Sequence, residues 1–152
     1  MNARLAEPKW AGREILLQEH VASADDYVMH LVRAEGRIVW SCVYRYSLPT
    51  ELEIRGPVEG IEIHHEPTSD DLRGVAESFL APLAYEGPAN IDYRRRADGS
   101  IAVLEINPRL GGSLMRPEHR SDLAAAISAI VRYAHPTPTG QTRTGDPSSS
   151  LR

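Results

Sequence analysis

Ala89-Asn-Ile-Asp-Tyr-Arg-Arg-Arg-Ala-Asp-Gly-Ser-Ile-Ala-Val-Leu-Glu-Ile-Asn107 decides the fold. Two alternating stretches flank Asp98-Gly99, a strong short hairpin signal, because Gly accepts the positive φ of a tight turn. A two-residue turn here places Asp92 opposite Glu105, Asn90 opposite Asn107 and Arg94 opposite Val103. Alternation then puts Asn90, Asp92, Arg94, Glu105 and Asn107 on one face, and Ile91, Tyr93, Leu104 and Ile106 on the other. The second face is built to pack on a core. On the first, two carboxylates about 5 Å apart repel by roughly 3 kcal/mol at an effective dielectric near 20, and like charges directly opposite weaken a ladder. Two readings answer that repulsion. Either a hard cation such as Mg²⁺ sits between Asp92, Glu105 and Asn107, which offer the oxygen ligands it takes, or the face is solvated and Arg94 or Arg109 balances it.

Working outward, strand patterns run over Glu14 to Val21, Asp26 to Arg33 and Arg37 to Tyr46, the last two joined through Ala34-Glu35-Gly36. Leu48 to Gly60 reads as a loop, and Ile61 to His65 as a short strand. Leu72, Val75, Ala76, Phe79, Leu80 and Leu83 recur at helical spacing after Thr68, and Gly87-Pro88 ends the element. A second helix is expected near Ser121 to Ala134, with Leu123, Ile127, Ile130, Val131 and Ala134 on one side. Hairpins with two helices, without alternating βαβ units, indicate an α+β class: a mostly antiparallel sheet with two flanking helices. Residues 1 to 13 form a short N-terminal remnant, 14 to 135 the folded lobe, and the Pro-, Thr- and Ser-rich stretch 136 to 152 a disordered tail.

At 152 residues, 41% hydrophobic and 25% charged, the chain suits one domain. A net charge of -4 argues against nucleic acid as a partner. No apolar run approaches the roughly 20 residues of a membrane helix, and the single Cys42 rules out an intrachain disulfide framework. A cytoplasmic protein is the expectation. Cys42, within an apolar strand pattern, is expected to be a buried side chain. Among the basic residues, Lys9 is the only lysine. His64 and His65 alternate to opposite faces of a strand, and His20, His119 and His135 show no ligand spacing.

Val103-Leu-Glu-Ile-Asn-Pro-Arg-Leu-Gly-Gly-Ser113 resembles the metal-binding signature of the ATP-grasp ligases, the superfamily that includes carbamoyl phosphate synthetase, biotin carboxylase and D-alanine:D-alanine ligase. The resemblance implies that Glu105 and Asn107 hold the magnesium bridging the phosphates of ATP. It implies a third ligand on the preceding strand, where Asp92 stands, and a phosphoryl-contacting arginine at Arg109. It also implies that Gly111, Gly112 and Ser113 face a carboxylate substrate. Leu17-Gln-Glu-His-Val-Ala-Ser-Ala-Asp-Asp-Tyr-Val-Met-His30 is similar to the family's hinge segment. That likeness gives Glu19 and Val21 to adenine and Asp26 to the ribose hydroxyls. His30 stands where relatives often carry a carboxylate.

The chain lacks the family's glycine-rich loop and phosphate lysines, so the resemblance implies a C-terminal lobe. Completed by an N-terminal lobe, such a lobe belongs to a ligase using Mg-ATP to activate a carboxylate as an acyl phosphate for attack by an amine or thiol. The partners expected are ATP, a carboxylate substrate, and an N-terminal-lobe chain or a second copy. The alternative is a non-catalytic nucleotide-binding or assembly module of the same descent.

Overall fold

The computed structural model describes residues 12–14, 16, 18–48 and 61–134. Residues 1 to 11 of the expected remnant, residues 49 to 60 of the loop, and the tail therefore lie outside the described residues. Among the described residues five strands form one antiparallel sheet: β1 (Asp25–Ala34), β2 (Arg37–Ser47), β3 (Glu62–Glu66), β4 (Gly87–Arg95) and β5 (Ile101–Asn107). Their order is β3-β2-β1-β4-β5, so β1 is central and β5 is an edge. Helix α1 (Asp70–Leu80) precedes β4, and α2 (Arg120–Ala134) follows β5. The α+β class expected from the hairpins and helix patterns is the one observed.

Alternation along β1 divides the core in two. Met29 and Leu31 face Leu72, Ala76 and Leu80 of α1, joined by Val43, Ala89, Ile91 and Tyr93. Val28 faces the other way and packs with Cys42, Tyr44, Tyr46 and Leu114, with Leu123 of α2 against them. Each set removes apolar surface from water at about 25 cal/mol per Å². α1 begins one residue later than Thr68 suggests, with Ser69 as its N-cap, while Thr68 accepts a hydrogen bond from Ser41 Oγ at 3.1 Å.

Both main hairpins carry an irregularity. The β1–β2 turn uses Glu35 and Gly36, at φ 53° and 74°, and the pairing shifts between Val32 and Arg33, leaving Val39 as the extra residue of β2. The β4–β5 turn is longer than the two residues expected. Arg96 accepts from Gly99 N–H at 2.9 Å and donates its own N–H to Ser100 O at 2.9 Å, so Ala97, Asp98 and Gly99 form a three-residue loop closed by Gly99 at φ 84°. Near the turn Arg94 therefore opposes Ala102, and Tyr93 opposes Val103. A second shift, with Leu104 as the extra residue, then restores the expected register: Asp92 opposes Glu105 and Asn90 opposes Asn107. Leu104 pays no part in the core, contrary to its expected face; it is 47% exposed, and Val103 packs there instead.

Two further expectations are corrected. The described residues of 14 to 21 form no strand. Both sides of β1 are taken by β2 and β4, and Val21, buried, gives its carbonyl to a side chain, Arg94 Nη1, at 2.7 Å. In α2 the inward row is Leu123, Ala126 and Ile130, whereas Ile127 and Val131 are 47% and 56% exposed. The small Ala126, fully buried, lets the helix approach along its own row.

Cys42 is buried, and burial, reinforced by the Asp122 charge, pushes its thiol up to about 12. Because the thiolate is the nucleophile, iodoacetamide at pH 8 is expected to alkylate the native chain at least about a hundredfold more slowly than the urea-unfolded chain, read by mass spectrometry.

Candidate functional site

The restored register builds a polar strip on the α2 side of the sheet. His30 of β1 pairs with Asn90 of β4, which pairs with Asn107 of β5; in the adjacent row Val28 pairs with Asp92, which pairs with Glu105. Asn90 Nδ2 donates to Asp92 Oδ2 at 3.2 Å. Asn90 Oδ1 is buried and has no hydrogen-bond partner among the described residues, an arrangement that costs free energy unless another group meets it. Glu105 is exposed, and Asp92 and Asn107 are half-buried. The three residues proposed from sequence to hold a cation thus share one end of the strip. Among the described residues no three His, Cys, Asp or Glu side chains form a metal cluster, so this is a two-carboxylate, amide-assisted group.

Beyond β5 the chain turns back over the sheet. Arg109 N–H donates to Asn107 O at 2.8 Å, and the exposed Arg109 side chain gives Nη1 to Leu110 O at 3.3 Å. The one-turn segment Gly112–Met115 follows. Gly111 lies directly over His30 and Asn90. A Cβ there would collide with His30 Cε1 and stand 3.0 Å from His30 Nδ1 and 3.3 Å from Asn90 Cγ. Gly112 has no atom within 4 Å of the same position. Ser113 is held at both ends: its Oγ lies 2.6 Å from His30 Nε2, and its carbonyl accepts from His119 Nδ1 at 2.9 Å. His119 stacks on Tyr44 with ring centroids 4.0 Å apart, and Tyr44 donates its hydroxyl to Asp122 Oδ2 at 2.5 Å. Burial and that acceptor raise the Tyr44 phenol well above its ordinary value. His30 and His119 carry no spacing signal; only the tertiary fold brings them to Ser113.

The hinge residues are placed differently from one another. Asp26, buried, accepts from Arg94 Nε at 2.5 Å, and the same guanidinium reaches Val21 O. Glu19 is exposed and meets Arg96 Nη2 at 3.1 Å. Glu19 and Val21 line a 420 Å³ concavity with Val75, Phe79 and Leu104, and a second, of 390 Å³, with Arg96 and Asp98 of the β4–β5 loop. Parity alone places Leu104 in the core; the bulge turns it into this concavity beside Glu19 instead.

No family model and no curated protein matches the chain by sequence. Solved structures do match. One, of the ATP-grasp ligase PsnB with a minimal precursor, superposes over 84% of this chain at a TM-score of 0.50, with 18% identity. The fold is that of part of this ATP-grasp ligase. A second PsnB structure, with a phosphomimetic variant of the minimal precursor, Mg and ADP, covers 86% of this chain at a TM-score of 0.48 and 19% identity. The chain spans only 43% and 41% of the two PsnB chains.

Two consequences can be measured. Gly111→Ala is expected to lose about 1–3 kcal/mol in urea unfolding through overpacking against His30, while Gly112→Ala stays within about 0.5 kcal/mol of the parent. Asp26→Ala leaves the buried Arg94 charge without its carboxylate and is expected to lose about 3 kcal/mol in the same measurement.

Proposed function

We propose that the chain is the C-terminal part of an ATP-grasp ligase, binding Mg-ATP and activating a carboxylate for attack by an amine or thiol. The observation that carries this reading is the Asp92–Glu105 pair, set opposite by a bulge that restores their register, within a fold shared with an ATP-grasp ligase. The donor set fits magnesium. Asp92, Glu105 and Asn107 offer only oxygen, Asn90 Oδ1 is a buried acceptor awaiting a donor or a bound water, and Mg²⁺ is usually held by one or two carboxylates together with substrate phosphates. When bound, the ion supplies positive charge against the phosphate oxygens.

On this reading a substrate carboxylate oxygen attacks the γ-phosphorus, the bond to the β,γ-bridging oxygen breaks, and ADP leaves. An amine or thiol then adds to the acyl carbon, the carbon–oxygen bond to phosphate breaks, and inorganic phosphate leaves. Arg109, exposed beside the strip, offers its guanidinium to the charge that develops on the transferring group. Glu19 and Val21 present the nucleoside edge of the site, and Leu104 gives the base an apolar surface within their shared concavity. Asp26 supports that edge through Arg94 with one carboxylate oxygen, and its second oxygen serves the ribose hydroxyls.

Calorimetric titration of ATP into the full chain tests this. Binding is expected with Mg²⁺ and is expected to weaken at least about tenfold in Asp92→Asn and in Glu105→Gln. In chelator, each substitution is expected to leave stability equal or raised, because like charges opposite one another are relieved. Equal heats in all three proteins, or none at millimolar ATP, would overturn the assignment.

A further inference from the structure

We propose that His30 is a positioning residue that aims the Ser113 hydroxyl at the acyl group of the substrate. This rests on the ligase reading above and adds to it a residue that no ligand can touch. His30 is fully buried, and Gly111 closes over its ring. Its Nε2 nevertheless lies 2.6 Å from Ser113 Oγ, and Ser113 itself is half-buried at the end of the polar strip. The main chain of the same residue is fixed independently, by the bond from His119 Nδ1–H to its carbonyl. With the backbone and the oxygen both anchored, the hydroxyl has one remaining rotational choice.

That choice depends on the direction of the His30 bond. A hydroxyl has one proton and two lone pairs. When His30 Nε2–H donates to Ser113 Oγ, the serine proton is released to point outward as a donor. A carboxylate, or the acyl phosphate made from it, carries acceptors and selects this arrangement. Asn90 and Asn107 continue the row from His30 toward the carboxylate pair, so the acyl end of a substrate meets Ser113 while its phosphoryl end lies toward Asp92 and Glu105. A side chain at residue 111 would push His30 out of this row, which accounts for glycine there on steric grounds alone.

The test uses the full chain, Mg-ADP, and acetyl phosphate as a small acyl phosphate, with affinities read from NMR shift titrations. In Ser113→Ala and His30→Ala, acetyl phosphate is expected to bind about tenfold more weakly in the presence of saturating Mg-ADP, while Mg-ADP affinity changes less than twofold. His30→Gln, whose amide also offers an N–H, is expected to recover binding to within threefold of the parent. Adding His30→Ala to Ser113→Ala should cost less than a further twofold, since His30 acts only through that hydroxyl. Undiminished acetyl phosphate binding in Ser113→Ala, or no acetyl phosphate binding by a parent that does bind Mg-ADP, overturns this inference and leaves the ligase reading standing. A parent that binds no Mg-ADP overturns both. If His30→Ala does not fold, Ser113→Ala and His30→Gln decide the matter, and an equal loss in the Gln variant counts against the proposal.

Discussion

Everything at the site depends on the register of one antiparallel pair. A strand slipped by a single residue presents its other face, so had the three-residue loop after β4 been left uncompensated, Glu105 would have turned away from Asp92. Leu104 absorbs the slip. The bulge costs a ladder position and an apolar side chain from the core, and in exchange sets two carboxylates opposite each other across the β4–β5 pair at the sheet's edge. A fold selected only for stability has no reason to keep such a pair, because every neighbouring register would separate the charges.

Much of this was legible in the chain. The hairpins announced themselves through Asp98-Gly99 and Glu35-Gly36, and the helices through their apolar spacing. The Asp92–Glu105 opposition follows from a two-residue turn that the protein does not have, and it holds because two irregularities offset each other. Nothing local distinguishes a two-residue Asp-Gly turn from a three-residue loop ending in Gly, nor marks Leu104 as the residue to be extruded. The same blindness misplaced Leu104 in the core and rotated the inner face of α2, where Ala126 rather than Ile127 sets the approach.

The polar interior was the least readable part. His30 and Ser113 are 83 residues apart and meet only because β1 is central and the chain after β5 folds back across it. His119, Tyr44 and Asp122 come together in the same way. Such contacts have no period and no spacing, whereas the carboxylates are close in sequence and share a hairpin. Gly111 belongs to the run expected to face a substrate, but what it lies against is a buried imidazole, and no sequence pattern could supply that partner.

Arg33 and Arg94 are each about 4% exposed, and they do a further service. Arg94 ties Val21 and Asp26 to β4, while Arg33 reaches Glu77, Tyr85 O, Glu86 and Gly36 O from the central strand. A lysine could not span these sets, since its single nitrogen lacks the planar fork. In a chain with one cysteine, the two guanidinium groups are reversible cross-links between segments distant in sequence. They hold the β1 hairpin, the end of α1 and the approach to the sheet in a closed circuit, and unlike thiol bridges they are indifferent to redox conditions.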